Sequence, residues 1–375
     1  MIIIKYSYEI FRGDILFWDF VKEKEENKNT TPILVGCDLG YGQTKTFTKD
    51  KKFRFLSAVG KPISDFGRAA AVTNFDELLN CLTVTYEGQK YYIGHNAIVN
   101  SRNGRLSLRQ NKADTEENKV KFLTSLALLM DEDQEYGEFE IVSGLPVLEF
   151  KNQKNILETA LTNTFNLVMH YGLKTVNKRI VINNTKIISQ GEGSFYDFVL
   201  DQNGKLINDR VNLVGGQVMV VDTGYRTTDI VTMESGRYLE TMSDQINNGV
   251  NQMHQEILRL IMEKLNIKKE LKDIDEMVRT RKIFHNKNEI IIDSIILQAA
   301  KPFAESIVEH LHTISNDQLG SMQRVILTGG GANLIYTFVK NALKDVIEVD
   351  IMENSEYSNA SGYYKYGMLL KSGGQ

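Results

Sequence analysis

Residues 33–45 read Ile-Leu-Val-Gly-Cys-Asp-Leu-Gly-Tyr-Gly-Gln-Thr-Lys. An apolar run ends on an acid at Asp38, breaks at Gly40 and Gly42, and resumes at Gln43. That pattern predicts a strand over 33–38, a tight turn and a second strand. Residues 217–229 repeat the design as Gln-Val-Met-Val-Val-Asp-Thr-Gly-Tyr-Arg-Thr-Thr-Asp, with Asp222 at the strand end and Gly224 in the turn. A third stretch, Leu-Thr-Gly-Gly-Gly-Ala-Asn at 327–333, predicts a strand running into Gly329, Gly330 and Gly331, then a helix from about Ala332.

Each stretch has a chemical reading. Glycine in a strand-turn-strand lets backbone N–H groups approach phosphate oxygens with no Cβ in the way. An acid at the strand end before such a turn suits a hydrated Mg²⁺, which keeps several waters and takes one or two carboxylates plus phosphates. Lys45 is placed to set a point charge on a phosphate. A glycine triplet lets backbone lie flat against a nucleoside. Taken singly, each Asp-Gly turn is equally a plain hairpin, and the triplet equally a plain helix entry. At average residue frequencies the three in this order arise by chance about once in ten thousand chains.

Working outward, the pattern predicts a strand at 53–59, a hairpin at 83–93 turning at Gly88, and a helix at 116–130. It continues with a strand at 138–143, a helix at 147–162 after Pro146, and strands near 179–189. Helices follow at 248–265, 270–283 and 293–314, then a strand at 348–352 and a helix from 358. Strands alternating with helices argue for an α/β protein, and the repeated acid-turn unit argues for two similar lobes.

Composition sets the outer bounds. The chain has 375 residues, 42% hydrophobic and 25% charged. At ~150 residues per domain this length predicts two to three domains. The net charge of -4 argues against a broad nucleic-acid-binding face, which needs a basic excess. Two cysteines, Cys37 and Cys81, are too few for a disulfide framework. No apolar run approaches the ~18 residues of a membrane span. Glu9 and Asp14 interrupt the apolar start, which does not read as a signal peptide. The expectation is a cytoplasmic protein.

The three motifs in this order resemble the phosphate-1, phosphate-2 and adenosine motifs of the actin, sugar-kinase and heat-shock-chaperone ATPase superfamily. Ser143-Gly144-Leu145-Pro146-Val147 resembles a strand end of the bacterial ParM proteins that segregate plasmids. Gln190 to Tyr196 resembles the start of the first interdomain helix in that family. Asn247-Asn248-Gly249-Val250 resembles the loop that opens a helix lining the nucleotide. Ser355 to Leu370 resembles the second connecting helix. The resemblance runs from about Ile33 to Leu370 at the level of motifs, and archaeal actin relatives fit about as well as ParM.

The resemblance implies a two-lobed actin-like fold of duplicated ribonuclease-H-like domains with a nucleotide cleft between lobes. Its bounds here are an N-terminal extension at 1–32, domain I at 33–189 with 351–375 returning to it, and domain II at 190–350. It implies Asp38 and Asp222 as the Mg²⁺-associated acids, acting through water. Nucleotide contacts fall along Gly40, Tyr41, Gly42, Gln43 and Lys45, and along Gly224, Tyr225, Arg226, Thr227 and Asp229. They extend to Asn248, Gly249, Gly329, Gly330, Gly331 and Ala332, with Gly330 and Gly331 bordering the purine. Gln190 aligns with the residue that orients the attacking water, with Glu192 as its rival.

Tyr41 and the Tyr225-Arg226 pair replace residues that are small in these loops, which reshapes the γ-phosphate end. Arg226 reads first as a solvated arginine and second as a phosphate contact. The implied function is an ATPase, on ATP or GTP with Mg²⁺, that assembles head to tail into dynamic filaments. Plasmid cargo is then held through a DNA-binding adaptor, without direct contact of this chain to nucleic acid or membrane. Two alternatives share the fold: a small-molecule kinase, with Glu192 or Asp229 as its base, and a nucleotide-bound scaffold that does not turn over.

The remaining features are weaker. The six histidines show no zinc-ligand spacing with cysteine. Arg102, Arg105, Arg109 and Lys112 read as a solvated loop or as a filament or adaptor contact. Residues 1–21 read as an edge strand or tether, a filament contact or a membrane-binding helix.

Overall fold

A computed structural model of the chain describes residues 31–63, 72, 74–101, 105–106 and 115–373. Residues 1–30 of the N-terminal extension and Arg102, Arg109 and Lys112 lie outside the described residues, as does the Arg105 side chain. Contacts divide the chain into two compact units. Of the described residues, one comprises those within 31–212 together with 357–373, and the other those within 213–356. The division falls later than the sequence boundary at 190, because helix Glu192–Val199 packs on the first unit against the C-terminal helix Ser358–Gly373.

The first unit is built on a ten-stranded sheet. From one edge its order begins Lys52–Leu56, Gln43–Phe47, Ile33–Leu39, Tyr136–Leu145, Lys174–Ser189 and Thr164–Tyr171. Strand Ile33–Leu39 pairs parallel with Tyr136–Leu145 and antiparallel with Gln43–Phe47. It is buried from Leu34 to Leu39 and apolar up to Asp38 because both faces are covered, the pattern expected of a central parallel strand. Helix Glu116–Ala127 covers one face, and Phe122, Leu123 and Leu126 join Val35, Leu39 and Ile141 in the core. The C-terminal helix lies so close on Ile33–Leu39 that a Cβ at Gly36 would stand 1.9 Å from the Ala360 carbonyl oxygen. Tyr196 stacks on Tyr366 at 4.4 Å between ring centroids, joining helix Glu192–Val199 to that helix.

The second unit holds a six-stranded sheet in the order Arg237–Tyr238, Thr228–Glu234, Gln217–Thr223, Arg324–Thr328, Val349–Ile351, with Asp244–Ile246 beside Thr228–Glu234. Met219, Val221, Val325 and Leu327 pack with Phe303 and Ile307 of helix Asp293–Ile314 and Ile335 of helix Ala332–Leu343.

Two expected elements differ. The helix expected over 270–283 runs only over Ile274–Thr280, because Arg281 takes φ 58° and ends it. The chain then forms a hairpin, Lys282–His285 with Asn288–Ile291, turning through Asn286 and Lys287 at φ 48° and 66°. Strand Thr164–Tyr171 also joins Lys174–Ser189 in a hairpin that the sequence pattern did not signal. Among the described residues, no helix is long and apolar enough to cross a membrane.

Candidate functional site

In the first unit, strand pairing sets Asp38 opposite Lys45 and Leu39 opposite Thr44. Side chains of paired residues share a face, so the acid and the ammonium meet: Lys45 Nζ stands 3.1 Å from Asp38 Oδ2. The Asp38 side chain is 3% exposed and that of Lys45 17%, so the pair is shielded from bulk water. The turn between the strands is pinned from the next strand. Ser57 Oγ donates to the Gly40 carbonyl at 2.6 Å, and Ser57 N–H donates to the Gly42 carbonyl at 2.9 Å. Gly40 is required by space: a Cβ there would lie 2.7 Å from the Gln43 carbonyl oxygen. Tyr41 turns its ring inward, and its hydroxyl donates to Glu149 Oε1 at 2.7 Å.

Gln190 follows strand Lys174–Ser189 and is held by its own backbone, whose N–H donates to the Leu145 carbonyl at 2.7 Å. Its side-chain amide donates to Asp38 Oδ1 at 3.3 Å. Gly191, at φ 92°, then opens helix Glu192–Val199, and its N–H donates to Asn359 Oδ1 at 3.2 Å. Glu192 turns back on the chain instead, and its Oε1 accepts from the Ser189 N–H at 2.8 Å. Of the two rivals, Gln190 is therefore the one in contact with Asp38. Beside the acid, burial pushes the Cys37 thiol up to about 12, which leaves it inert as a nucleophile.

In the second unit, the same register sets Asp222 opposite Asp229 and Thr223 opposite Thr228. Gly224 N–H closes the turn on the Thr227 carbonyl at 2.9 Å, and Thr227 Oγ1 donates to Asp229 Oδ2 at 3.3 Å. Here the bracing comes from backbone. Val250 and Asn251 N–H groups, at the start of helix Val250–Leu265, donate to the Gly224 and Tyr225 carbonyls at 3.0 and 2.9 Å. Thr228 Oγ1 donates to the Asn248 carbonyl at 2.8 Å. Gly249 fits under the turn only without a side chain, since a Cβ would lie 2.7 Å from the Gly224 carbonyl oxygen. Tyr225 extends over the helix start, its hydroxyl donating to Asn251 Oδ1 at 3.3 Å, and Arg226 beside it is half-buried.

The glycine triplet lies against this turn. Gly331 N–H donates to the Thr223 carbonyl at 3.1 Å, and Gly329 sits at φ 86°. A Cβ on Gly329 would meet Asp222 Oδ1 at 2.4 Å, whereas one on Gly330 would meet nothing within 4 Å. Ala332 is buried at the helix start.

The predicted residues thus gather into two groups, one per unit. The first is Asp38, Gly40, Tyr41, Gly42, Gln43, Lys45 and Gln190, and the second runs from Asp222 through Asp229, Asn248, Gly249 and the triplet. Each acid, Asp38 in the first unit and Asp222 in the second, is of the oxygen-donor kind that Mg²⁺ takes alongside water and phosphate. Asp38 and Asp222 are both buried at strand ends, and among the described residues no group of three or more His, Cys, Asp or Glu side chains forms an all-protein cage. In the second group, buried Thr223 Oγ1 and Asn248 Oδ1 make no hydrogen bond within the protein, leaving acceptors and a hydroxyl for a polar ligand.

Sequence reasoning passed over Ser57, Glu149, Asn359 and Gln252. Only Gln252 carried a local signal, as the third residue after Gly249 in a capping box that satisfies the Gly249 N–H at 2.9 Å.

Two family patterns match the chain. That of the actin-like protein N-terminal domain covers residues 36–193, and that of the MreB-like archaeal actin homologue C-terminal domain covers 220–341. No curated protein matches it. Among solved structures, a 15-stranded ParM filament from Clostridium botulinum is 22% identical with a TM-score of 0.72, over 90% of this chain and 99% of that one. An archaeal actin homologue in complex with ADP is 19% identical with a TM-score of 0.70, over 89% and 99%. ParM from Bacillus thuringiensis with AMPPNP is 18% identical with a TM-score of 0.69, over 92% and 100%. At these identities the likeness is one of fold, and the fold is the expected actin-like ATPase fold.

Proposed function

Because this chain is an actin-like protein, with an actin-like N-terminal domain ahead of an MreB-like C-terminal one, we propose that it hydrolyses a nucleoside triphosphate and couples hydrolysis to filament assembly. The observation that carries this reading is the cluster at the first turn: buried Asp38 in contact with both Lys45 and Gln190. Phosphoryl transfer to water needs positioning and charge stabilisation more than covalent chemistry. The cluster offers both, and the second turn offers a glycine-lined cradle beside a second buried acid.

The roles follow from the groups. Lys45 brings positive charge to phosphate oxygens, and the turn amides around Gly40, Gly42 and Gly224 donate to them. Gln190 orients the attacking water, which an amide does without being a strong base. Asp38 and Asp222 are the proposed holders of Mg²⁺ through its waters. When bound, the cation supplies charge neutralisation to the phosphates. Gly330 and Gly331 border the base, and Thr227 and Asp229 stiffen the second turn.

Assembly would be head to tail, the heterologous geometry that yields open filaments. By the resemblance to ParM, the cargo would be plasmid DNA held through an adaptor, and a net charge of -4 argues against direct binding of DNA by this chain. The setting is cytoplasmic. Light scattering with Mg-ATP, and separately Mg-GTP, tests the reading against Asp222→Ala. The expected result is assembly and acceptor-free phosphate release by the unsubstituted chain and neither by the variant. Equal polymerisation by both overturns the role of that carboxylate. Nucleoside diphosphate formed only when a small acceptor is added, with the phosphoryl group carried on that acceptor, points to a kinase instead.

A further inference from the structure

Tyr41 stands in a turn that has no steric need of an aromatic ring. Its ring is nonetheless buried, and its hydroxyl reaches Glu149 at 2.7 Å. Glu149 belongs to the first turn of helix Val147–Leu161, where its own N–H donates to the Pro146 carbonyl at 2.9 Å. One residue before Pro146, the Leu145 carbonyl accepts from the Gln190 N–H at 2.7 Å. Gln190 in turn reaches Asp38, three residues before Tyr41. These contacts close a ring within the first unit: Asp38, the turn, Tyr41, Glu149, the 145–146 backbone, Gln190, and Asp38 again.

We infer that Tyr41 and Glu149 form a positioning pair that holds the first turn and Gln190 in register for hydrolysis. The inference rests on the hydrolase reading above. A phenol donating to a carboxylate is a charge-assisted bond, roughly twice as strong as a neutral one. Both partners are buried, at 7% and 9% exposure, so water does not readily replace either. Ser57 anchors the turn at Gly40 and Gly42, whereas Tyr41 anchors it to the segment that also carries Gln190. Losing the Glu149 anchor lets the turn and Gln190 drift apart. The turn amides and Lys45 contact phosphate in the ground state and the transition state alike, so their contribution to affinity survives. Placement of the attacking water does not survive, and an error of about 1 Å there slows a reaction as much as ~100-fold. The loss should therefore fall on turnover and spare binding.

The test uses the full chain with Tyr41→Phe, Glu149→Gln and the double variant. Phosphate release is read at saturating Mg-nucleotide, affinity is read with a fluorescent ATP analogue, and thermal unfolding is followed in parallel. Tyr41→Phe is expected to turn over about tenfold more slowly, with affinity within about twofold and an unfolding midpoint lowered by a few degrees, because the buried Glu149 oxygen loses a hydrogen bond. Glu149→Gln keeps an acceptor oxygen and should lose less. The double variant should be no slower than Tyr41→Phe, since once the Tyr41 hydroxyl is gone the change at 149 has no Tyr41–Glu149 bond left to weaken. An unaltered rate in Tyr41→Phe overturns the inference alone, as do additive losses in the double variant or equal losses in rate and affinity. An unsubstituted chain that releases no phosphate overturns the hydrolase reading along with it.

Discussion

The two acid-tipped turns share a register and differ in what stands across from the acid. In the first unit Lys45 faces Asp38 and closes an ion pair at 3.1 Å. In the second, Asp229 faces Asp222, and two carboxylates lie across one step of the ladder, a pairing that is destabilising on its own. The surroundings differ to match. Side chains do much to organise the first turn, through Ser57 Oγ on the Gly40 carbonyl, Tyr41 on Glu149 and Gln190 on Asp38. Backbone and absent side chains organise the second, through the amides of Val250, Asn251 and Gly331 and the bare Cα atoms of Gly249 and Gly329. The amides at the start of helix Val250–Leu265 also bring a positive dipole end to the doubly acidic turn. One local plan, strand-acid-turn-strand, thus sets a lysine across from its acid in one unit and packs backbone closely around its turn in the other.

The sharpest way to break this contrast is to add single methyl groups. Gly329→Ala forces a Cβ to within 2.4 Å of Asp222 Oδ1 and 2.5 Å of the Thr223 carbonyl, at a φ of 86°. Backbone strain alone costs roughly 1–3 kcal/mol, and the clash adds to it. Gly330→Ala adds a Cβ that meets nothing within 4 Å. Thermal unfolding should show a drop for the first of at least about 3 kcal/mol, with nucleotide affinity lost, and a change within about 0.5 kcal/mol for the second. Equal behaviour of the two variants would mean that close backbone approach does not organise the second turn.

The side-chain half of the contrast is tested at Gln190. Gln190→Ala removes the amide on Asp38 and should slow phosphate release roughly 100-fold with little change in nucleotide affinity. Glu192→Gln disturbs the bond to the Ser189 N–H and should appear first as a loss of stability of about 1 kcal/mol in thermal unfolding. If Glu192→Gln proves the more damaging to turnover, the roles of the two residues are exchanged.

What was legible in the sequence, and what was not, follows the same division. Both acid-tipped strands could be read because an apolar run, an acid and a glycine are adjacent in the chain. The triplet at Gly329 could be read for the same reason. Glu149 and Ser57 reach the first turn across 108 and 17 residues, and no local pattern signals such a meeting. Asn359, which caps Gly191 from the C-terminal helix, is further still in sequence. The helix expected over 270–283 overran because its apolar spacing continues past Arg281. A left-handed residue ends it there, and arginine carries no warning of that conformation. The position of Gln190 came through the family resemblance, and its contact with Asp38 through the fold.

The smallest expected effect concerns acid. His254 lies on the helix that braces the second turn, 5% exposed, with its Nδ1 3.6 Å from Asp275 Oδ1. Burial pushes its imidazole below the ordinary range, and the Asp275 carboxylate opposes that shift in part. A histidine that binds its proton less readily when folded leaves the unfolded chain binding more protons, so stability rises with pH across that window. Acidification from pH 7 through the ordinary histidine value, about 6.5, should therefore weaken the second unit progressively. Hydrogen exchange along Val250–Leu265 at pH 7.0 and 5.5 measures this. His254→Gln should flatten the pH dependence, and Asp275→Asn, which removes the opposing charge, should steepen it. An Asp275→Asn chain with a flatter profile than the parent would show that the carboxylate, rather than burial, governs the imidazole. It would also show that the bracing helix of the second turn depends on charge pairing.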